Sequence, residues 1–275
     1  MSFMPYLNSY TAPFTPGGDA GLMERVPRDQ SVQGLTIHFR MDPEVHRRYL
    51  HPALEVDPDH EGEALWLYAH HTATPVGVDC SDWHPGRVSA NEALLGLVCR
   101  YEGVTGTQYF YNFVDTDWDL AVLLFYGYSG KLGTFNITPS HADHAYMNGP
   151  RPGAKYVASV DRLGQRVTTA RVTLEDECPP EEFPLRDLLR AYGIRHIPNL
   201  DIAAGGRPLA YDLVVEDQTN IRPGQIWRGT GELTFPEAEN EALAPMSPQE
   251  ILGAYHFRFS YRTAGVHVLR DFLKD

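Results

Sequence analysis

Apolar and polar residues alternate through Leu35-Thr36-Ile37-His38-Phe39-Arg40, the period-2 pattern of a half-buried strand. Asp42-Pro43-Glu44 follows as an N-cap, a proline in the first turn and an acid, predicting a short helix that ends near Leu50, before Pro52. Ala64 to His71 reads as a strand, and a loop runs from Pro75 to Gly86. Ala93–Tyr101 and Gln108–Val114 predict a hairpin across Glu102-Gly103-Val104-Thr105-Gly106. The pattern then changes to a capped apolar helix, Asp117 to Tyr126, which breaks at Gly127. A small-residue loop, Gly127-Tyr128-Ser129-Gly130, delivers Lys131 ahead of a strand from Leu132 to Thr138.

Tyr156–Val160 and Arg166–Glu175 predict a second hairpin, turned at Leu163-Gly164. A short helix is expected from Leu185 to Tyr192. Strands follow at Ile194–Ile197, Pro208–Glu216, Trp227–Phe235 and Ile251–Tyr261, and a last helix at His267–Leu273. About ten strands and three or four short helices with hairpin-length connections favour a mainly β, α+β fold: one antiparallel barrel or sandwich with helices outside. Residues 1–30, rich in Pro, Gly, Ser and Thr, read as an extended arm, and residues 31–275 as a single domain.

With 43% hydrophobic residues the chain can bury a large core, and a net charge of -13 argues against a nucleic-acid partner. No apolar run approaches the roughly 18 residues that a membrane span needs, and the N-terminus lacks a basic region followed by an apolar core. A cytoplasmic protein without membrane contact is the expectation. Three widely spaced cysteines imply no disulfide framework.

Lys131 is one of only three lysines, and its neighbours are small and apolar. Lysine rather than arginine is required where a neutral amine attacks a carbonyl to form a Schiff base, and burial beside apolar groups lowers the amine's pKa. Glu92 heads an otherwise apolar strand and is a candidate proton shuttle; an exposed strand-end glutamate is its plainer reading. His70-His71, the segment Asp79 to His84, and His141-Ala142-Asp143-His144 carry metal-compatible residue types, but none has a recognised ligand spacing, so no metal is expected. No phosphate-binding loop, dinucleotide fingerprint or hydrolase elbow occurs.

From residue 34 to 273 the order of these features resembles the acetoacetate decarboxylase superfamily. The segments that carry the likeness are Thr36 to Asp42 running into Leu50-His51-Pro52-Ala53-Leu54-Glu55-Val56, the Glu92 strand, and Val114-Asp115-Thr116-Asp117 with its helix and lysine loop. Ile197-Pro198-Asn199, Ile226 to Gly231, Glu250 to Tyr255 and Asp271-Phe272-Leu273 complete it. The resemblance implies a closed, cone-like (double-psi) β-barrel, no cofactor, and a homo-oligomer acting on a β-keto or 2-oxo acid. It implies Lys131 as the Schiff-base lysine and Glu92 as the acid beside it, leading to decarboxylation or to aldol, dehydration or cyclisation chemistry. Tyr255, Arg40 and Tyr128 are the substrate-binding candidates. Decarboxylases of the family carry two adjacent lysines, whereas Gly130 and Leu132 flank Lys131. The family's carboxylate-associated arginine should fall near Val32 and is absent there, with Arg28 and Arg40 on either side. A non-catalytic barrel for a small ligand and a metal-dependent barrel enzyme are the competing readings.

Overall fold

The computed structural model describes residues 11–13, 21–23, 25–78, 89–140, 149–183 and 186–274. The first element is a 13-residue strand, β1 (Arg28–Arg40), followed by α1 (Pro43–Tyr49), which the Asp42 side chain caps by accepting from the Glu44 N–H. Three long strands, β2 (Glu63–Pro75), β3 (Ser89–Tyr101) and β4 (Val104–Val114), then pair in sequence as an antiparallel meander. Helix α2 (Asp117–Tyr126) ends at Gly127, whose φ of 78° is the left-handed cap that glycine supplies without strain. Two short strands follow, β5 (Gly130–Leu132) and β6 (Thr134–Ile137), and then the hairpin β7 (Lys155–Arg162) and β8 (Gln165–Glu177). The chain finishes with β9 (Ala191–Ile197), β10 (Ala210–Thr234) and β11 (Glu250–Asp271).

Along the sheet the order is β11-β1-β2-β3-β4-β9-β10-β8-β7-β6, and β10 also pairs with β11. That additional ladder joins the two ends of a seven-strand path, so the sheet is ring-like, with β8, β7 and β6 continuing outward from β10. It is not wholly antiparallel, because β4 pairs in parallel with both β5 and β9. One face carries the main core, in which Phe39, Trp66, Tyr68, Leu95 and Tyr156 are essentially inaccessible to solvent. Each such side chain contributes about 1.5–3 kcal/mol of burial free energy. The other face of β3 and β4 packs Leu94 and Val114 against Trp118, Val122, Leu123 and Tyr126 of α2.

Three expectations need correction. Only a single 3-10 turn, Asp187–Leu189, forms within the predicted helix Leu185–Tyr192; residues 184 and 185 lie outside the described set, and strand β9 has begun by Ala191. The predicted closing helix His267–Leu273 is mostly strand, since β11 runs to Asp271 and its backbone pairs with Asp212 to Glu216 of β10. The strands expected at Pro208–Glu216 and Trp227–Phe235 are one element, β10, joined by the exposed polar segment 217–225, whose composition concealed the continuous ladder. Most of the expected arm, 1–10 and 14–20, lies outside the described residues, as do 79–88 and 141–148 with their histidines. No helix among the described residues is long and apolar enough to cross a membrane.

His256 on β11 gives the core a pH dependence. It is 2% exposed, its ring lies 5.0 Å from that of Tyr156, and neither ring nitrogen has a hydrogen-bond partner. Burial, reinforced by Arg258, pushes its pKa down to about 4. The unfolded chain therefore binds the proton more readily between that value and the ordinary 6.5. The stabilisation is complete above pH 6.5 and is lost as pH falls through 4, a change on the order of 3 kcal/mol. Denaturant unfolding at pH 7 and pH 4 should show this loss, and His256→Phe should flatten that part of the pH slope.

Candidate active site

Strand alternation decides which side chains meet. On β1, Arg28, Gln30 and Val32 are buried while Asp29 and Ser31 are exposed, so the first three share one face. That face, with His71 of β2, Glu92 of β3 and Tyr109 of β4, surrounds a cavity of about 80 Å³. Asp119, Val122, Leu123 and Tyr126 of α2 close one side, and Glu216 of β10, Tyr261 of β11 and Tyr128 complete the wall. At roughly 10–15 Å³ for each water molecule held, the space suits a ligand of about six non-hydrogen atoms.

The cavity is rich in charge for its burial. Arg28 is 2% exposed; it donates from Nη2 to Tyr126 Oη at 3.3 Å, and its Nε has no partner. Tyr126 Oη is shared in turn with Thr263 Oγ1 at 3.0 Å, which fixes the phenol beneath the guanidinium. His71 Nε2 lies 3.4 Å from Asp119 Oδ2, and the Trp118 indole stacks on the imidazole at 5.4 Å and 12°. Burial pulls the His71 pKa down, but the Asp119 and Glu92 carboxylates outweigh it and lift the imidazole to about 9. Burial raises the Glu92 carboxyl above its ordinary range; His71 opposes this and Asp119 and Glu216 add to it. Glu216 is also raised by burial, against hydrogen bonds from Gln218 and Thr263. Tyr128 Oη donates to Glu216 at 3.5 Å, and burial holds the Tyr128 and Tyr261 phenols well above 10, so both stay protonated.

Lys131 is elsewhere. In the ladders Glu92 faces Val114, while Lys131 pairs with Phe113, the adjacent residue of β4 and therefore on the opposite face of the sheet. The ammonium sits 2.7 Å from Glu241 Oε2, donates to Tyr111 Oη at 3.0 Å and lies 4.6 Å from the centre of that ring. Burial lowers its pKa, but the hydrogen bonds to Glu241 and Tyr111 outweigh that, and the net shift is upward. The expected desolvated amine beside Glu92 is thus corrected: the side chain is 35% exposed and ion-paired. On the cavity-facing side of β5 the chain has Gly130, where an added Cβ would meet Leu123 Cδ1 at 3.0 Å.

The other predicted residues divide. Tyr128 and Glu92 line the cavity. Arg40 does not; it is a surface residue paired with Glu250 and Glu63. Tyr255 packs edge-on against Phe183, in a separate apolar cluster. Of the two arginines that flank Val32 in sequence, Arg28, four residues earlier on the same face of β1, is the one that lines the cavity.

A family model described as acetoacetate decarboxylase matches residues 11–273. The chain belongs to the acetoacetate decarboxylase family. No curated protein sequence matches it. Among solved structures, an acetoacetate decarboxylase-like enzyme from Sphingomonas wittichii RW1 superposes with a TM-score of 0.86 at 23% identity, over 96% of this chain and 100% of the other. The enduracididine biosynthesis enzyme MppR, complexed with the condensation product of pyruvate and imidazole 4-carboxaldehyde, gives 0.84 at 24% identity over 96% and 97%. Acetoacetate decarboxylase from Legionella pneumophila gives 0.75 at 16% identity over 99% and 98%. At these identities the superpositions establish the fold.

The sequence alone does not single out Arg28, His71, Asp119 or Glu216 as residues of this family member's cavity. Arg28 was assigned to the arm because the inward positions before Val32 are polar and a search for apolar alternation starts at Leu35. His71 was noted only as part of a histidine pair. Asp119 sits in the first turn of α2, where an acid is ordinary at a helix N-terminus, although it is 1% exposed. The available signal was the period-2 spacing of Arg28, Gln30 and Val32.

Proposed function

We propose that this member of the acetoacetate decarboxylase family is an enzyme that takes a small 2-oxo or β-keto acid into the Arg28–Glu92 cavity and moves a proton at the carbon beside its carbonyl. The observation that carries this reading is a buried guanidinium with an unpartnered Nε facing the same cavity as two carboxyls whose pKa values burial has raised. Arg28 would hold the substrate carboxylate through its planar fork. Glu92 and Glu216 are the proton carriers. The tyrosine phenols, protonated throughout the physiological range, can donate to a developing enolate oxygen.

Proton transfer beside a carbonyl is common to aldol addition, dehydration and enamine-type decarboxylation. Within that set the non-imine routes are favoured here, because an imine on Lys131 requires the ammonium to leave Glu241 and reach the other face of the sheet. The pyruvate condensation product carried by MppR, a protein of the same fold, supports an oxo acid of pyruvate size, in agreement with the cavity volume.

Proton NMR in D2O with pyruvate, 2-oxobutyrate and acetoacetate, with and without added divalent metal, tests the reading. Exchange of the protons beside the carbonyl, faster than in buffer and slowed by Glu92→Gln, is expected. Exchange no faster than buffer for every acid would overturn it, and CO2 release from acetoacetate would identify the decarboxylation branch.

A further inference from the structure

The cavity holds more carboxyl groups than cationic side chains. Glu92, Asp119 and Glu216 face one guanidinium and the His71 imidazole, and an oxo-acid substrate would add a further carboxylate. Asp119 is 1% solvent-accessible; among the described residues neither of its oxygens accepts a well-directed hydrogen bond, and the His71 imidazole 3.4 Å from Oδ2 is the group that meets it. A buried carboxylate is costly unless a cation meets it, and a metal ion held by both groups would take over from the imidazole's proton.

We propose that His71, Glu92 and Asp119 bind one divalent transition-metal ion of the zinc, manganese or iron(II) class. One donor atom from each of the three lies within 4.8 Å of those from the other two, and all three residues are buried. His71 Nε2 and Asp119 Oδ2, 3.4 Å apart, already have the spacing of two ligands on one ion with bonds of about 2.0–2.2 Å. Closing the set needs the Glu92 carboxylate to swing toward the other two donors by a side-chain torsion. The donors come from β2, β3 and α2, so the fold fixes their mutual position. Trp118, stacked on the imidazole, sets the ring plane. One imidazole and two carboxylates suit borderline metals better than magnesium or calcium, which prefer oxygen alone.

Three protein ligands leave coordination positions open toward the cavity. There the ion would take the carbonyl and carboxylate oxygens of the oxo acid, supplying the positive charge that Lys131, on the other face, does not. This use of the ion rests on the oxo-acid reading above; the binding site itself does not. Glu216, outside the triad, keeps the proton-carrying role when Glu92 is a ligand.

The test uses the full chain, stripped with EDTA and titrated with ZnCl2 by calorimetry and with MnCl2 by electron paramagnetic resonance. One ion per chain is expected, with a rise in Tm. Asp119→Asn and His71→Gln should each weaken binding by more than the roughly 10- to 100-fold seen for outer partners of metal sites. In wild-type protein, the Mn2+ spectrum should carry the coupling of one directly bound histidine nitrogen, a readout that does not depend on how the variants fold. No saturable binding at millimolar metal, no nitrogen coupling, or affinity unchanged in both variants would overturn the site. Pyruvate binding to the metal-free protein is measured in parallel. Its absence with the metal site intact would count against the oxo-acid reading alone.

Discussion

Arg28→Gln is expected to weaken binding of pyruvate by about 10- to 100-fold, the loss of a charged hydrogen-bonding partner worth about 1.5–3 kcal/mol. The guanidinium is held by β1 at 2% exposure, with Tyr126 beside it and, among the described residues, no carboxylate within ion-pair distance of it. Its Nε has no partner among the described residues, and that side of the fork faces the cavity where a ligand carboxylate would sit. Glutamine retains a donor but neither the charge nor the bidentate geometry, and Arg28→Lys, which keeps only the charge, should recover affinity incompletely. Removing the cation also deprives Glu216 of a neighbour that lowers its pKa, so that carboxyl should titrate still higher in the variant. Arg40→Gln is the control, because its partners are Glu250 and Glu63 at the sheet edge. Calorimetric titration of both variants should show a large loss for position 28 and little change for position 40; the reverse would place the carboxylate site at the arginine favoured by sequence alone.

Glu241→Ala should destabilise the protein by about 3 kcal/mol, the low end of the cost of breaking a buried ion pair. Glu241 is 3% exposed and joins three elements: Lys131 of β5, Arg162 of β7 at 3.0 Å, and Tyr111 of β4, whose Oη donates to it. The same tyrosine oxygen accepts the Ala242 N–H at 2.9 Å, pinning the connection between β10 and β11 to the sheet. Lys131→Met should cost less, about 1 kcal/mol, since Arg162 and Tyr111 remain on the carboxylate. Denaturant unfolding of the two variants reads both values. An unchanged stability in both would mean that the cluster does not hold this side of the molecule together, and that Lys131 is not retained for structure.

These two clusters also explain what could be read from the sequence. The second half of β1, strands β2 to β4, both helices α1 and α2, and the β7–β8 hairpin are legible because their inward positions are mostly apolar and their turns carry glycine or proline, whereas β1 before Leu35 turns polar residues inward. The arm of β10 and the end of β11 were not, because they pair mainly with each other and face solvent, where polar residues remove the alternation. Glu92 was legible as an acid in an apolar strand. Lys131 was conspicuous for its rarity, but rarity carries no information about direction. A one-residue offset on β5 decides whether a side chain meets Glu92 or Glu241, and only the register with Asn112, Phe113 and Val114 supplies it. Gly130 holds the cavity-side position, so the likeness of the segment to a lysine loop concealed a change of face.

The central claim is that the reactive cavity lies on the Arg28 face and that Lys131 is not its nucleophile. Borohydride reduction in the presence of pyruvate or acetoacetate, followed by intact mass and peptide mapping, tests it most directly, with Gly130→Lys as the comparison. No adduct is expected on the wild-type chain, and a reduced adduct is expected on Gly130→Lys, whose amine starts from the cavity side once Leu123 gives way. A stoichiometric adduct mapped to Lys131 in the wild-type protein would contradict it.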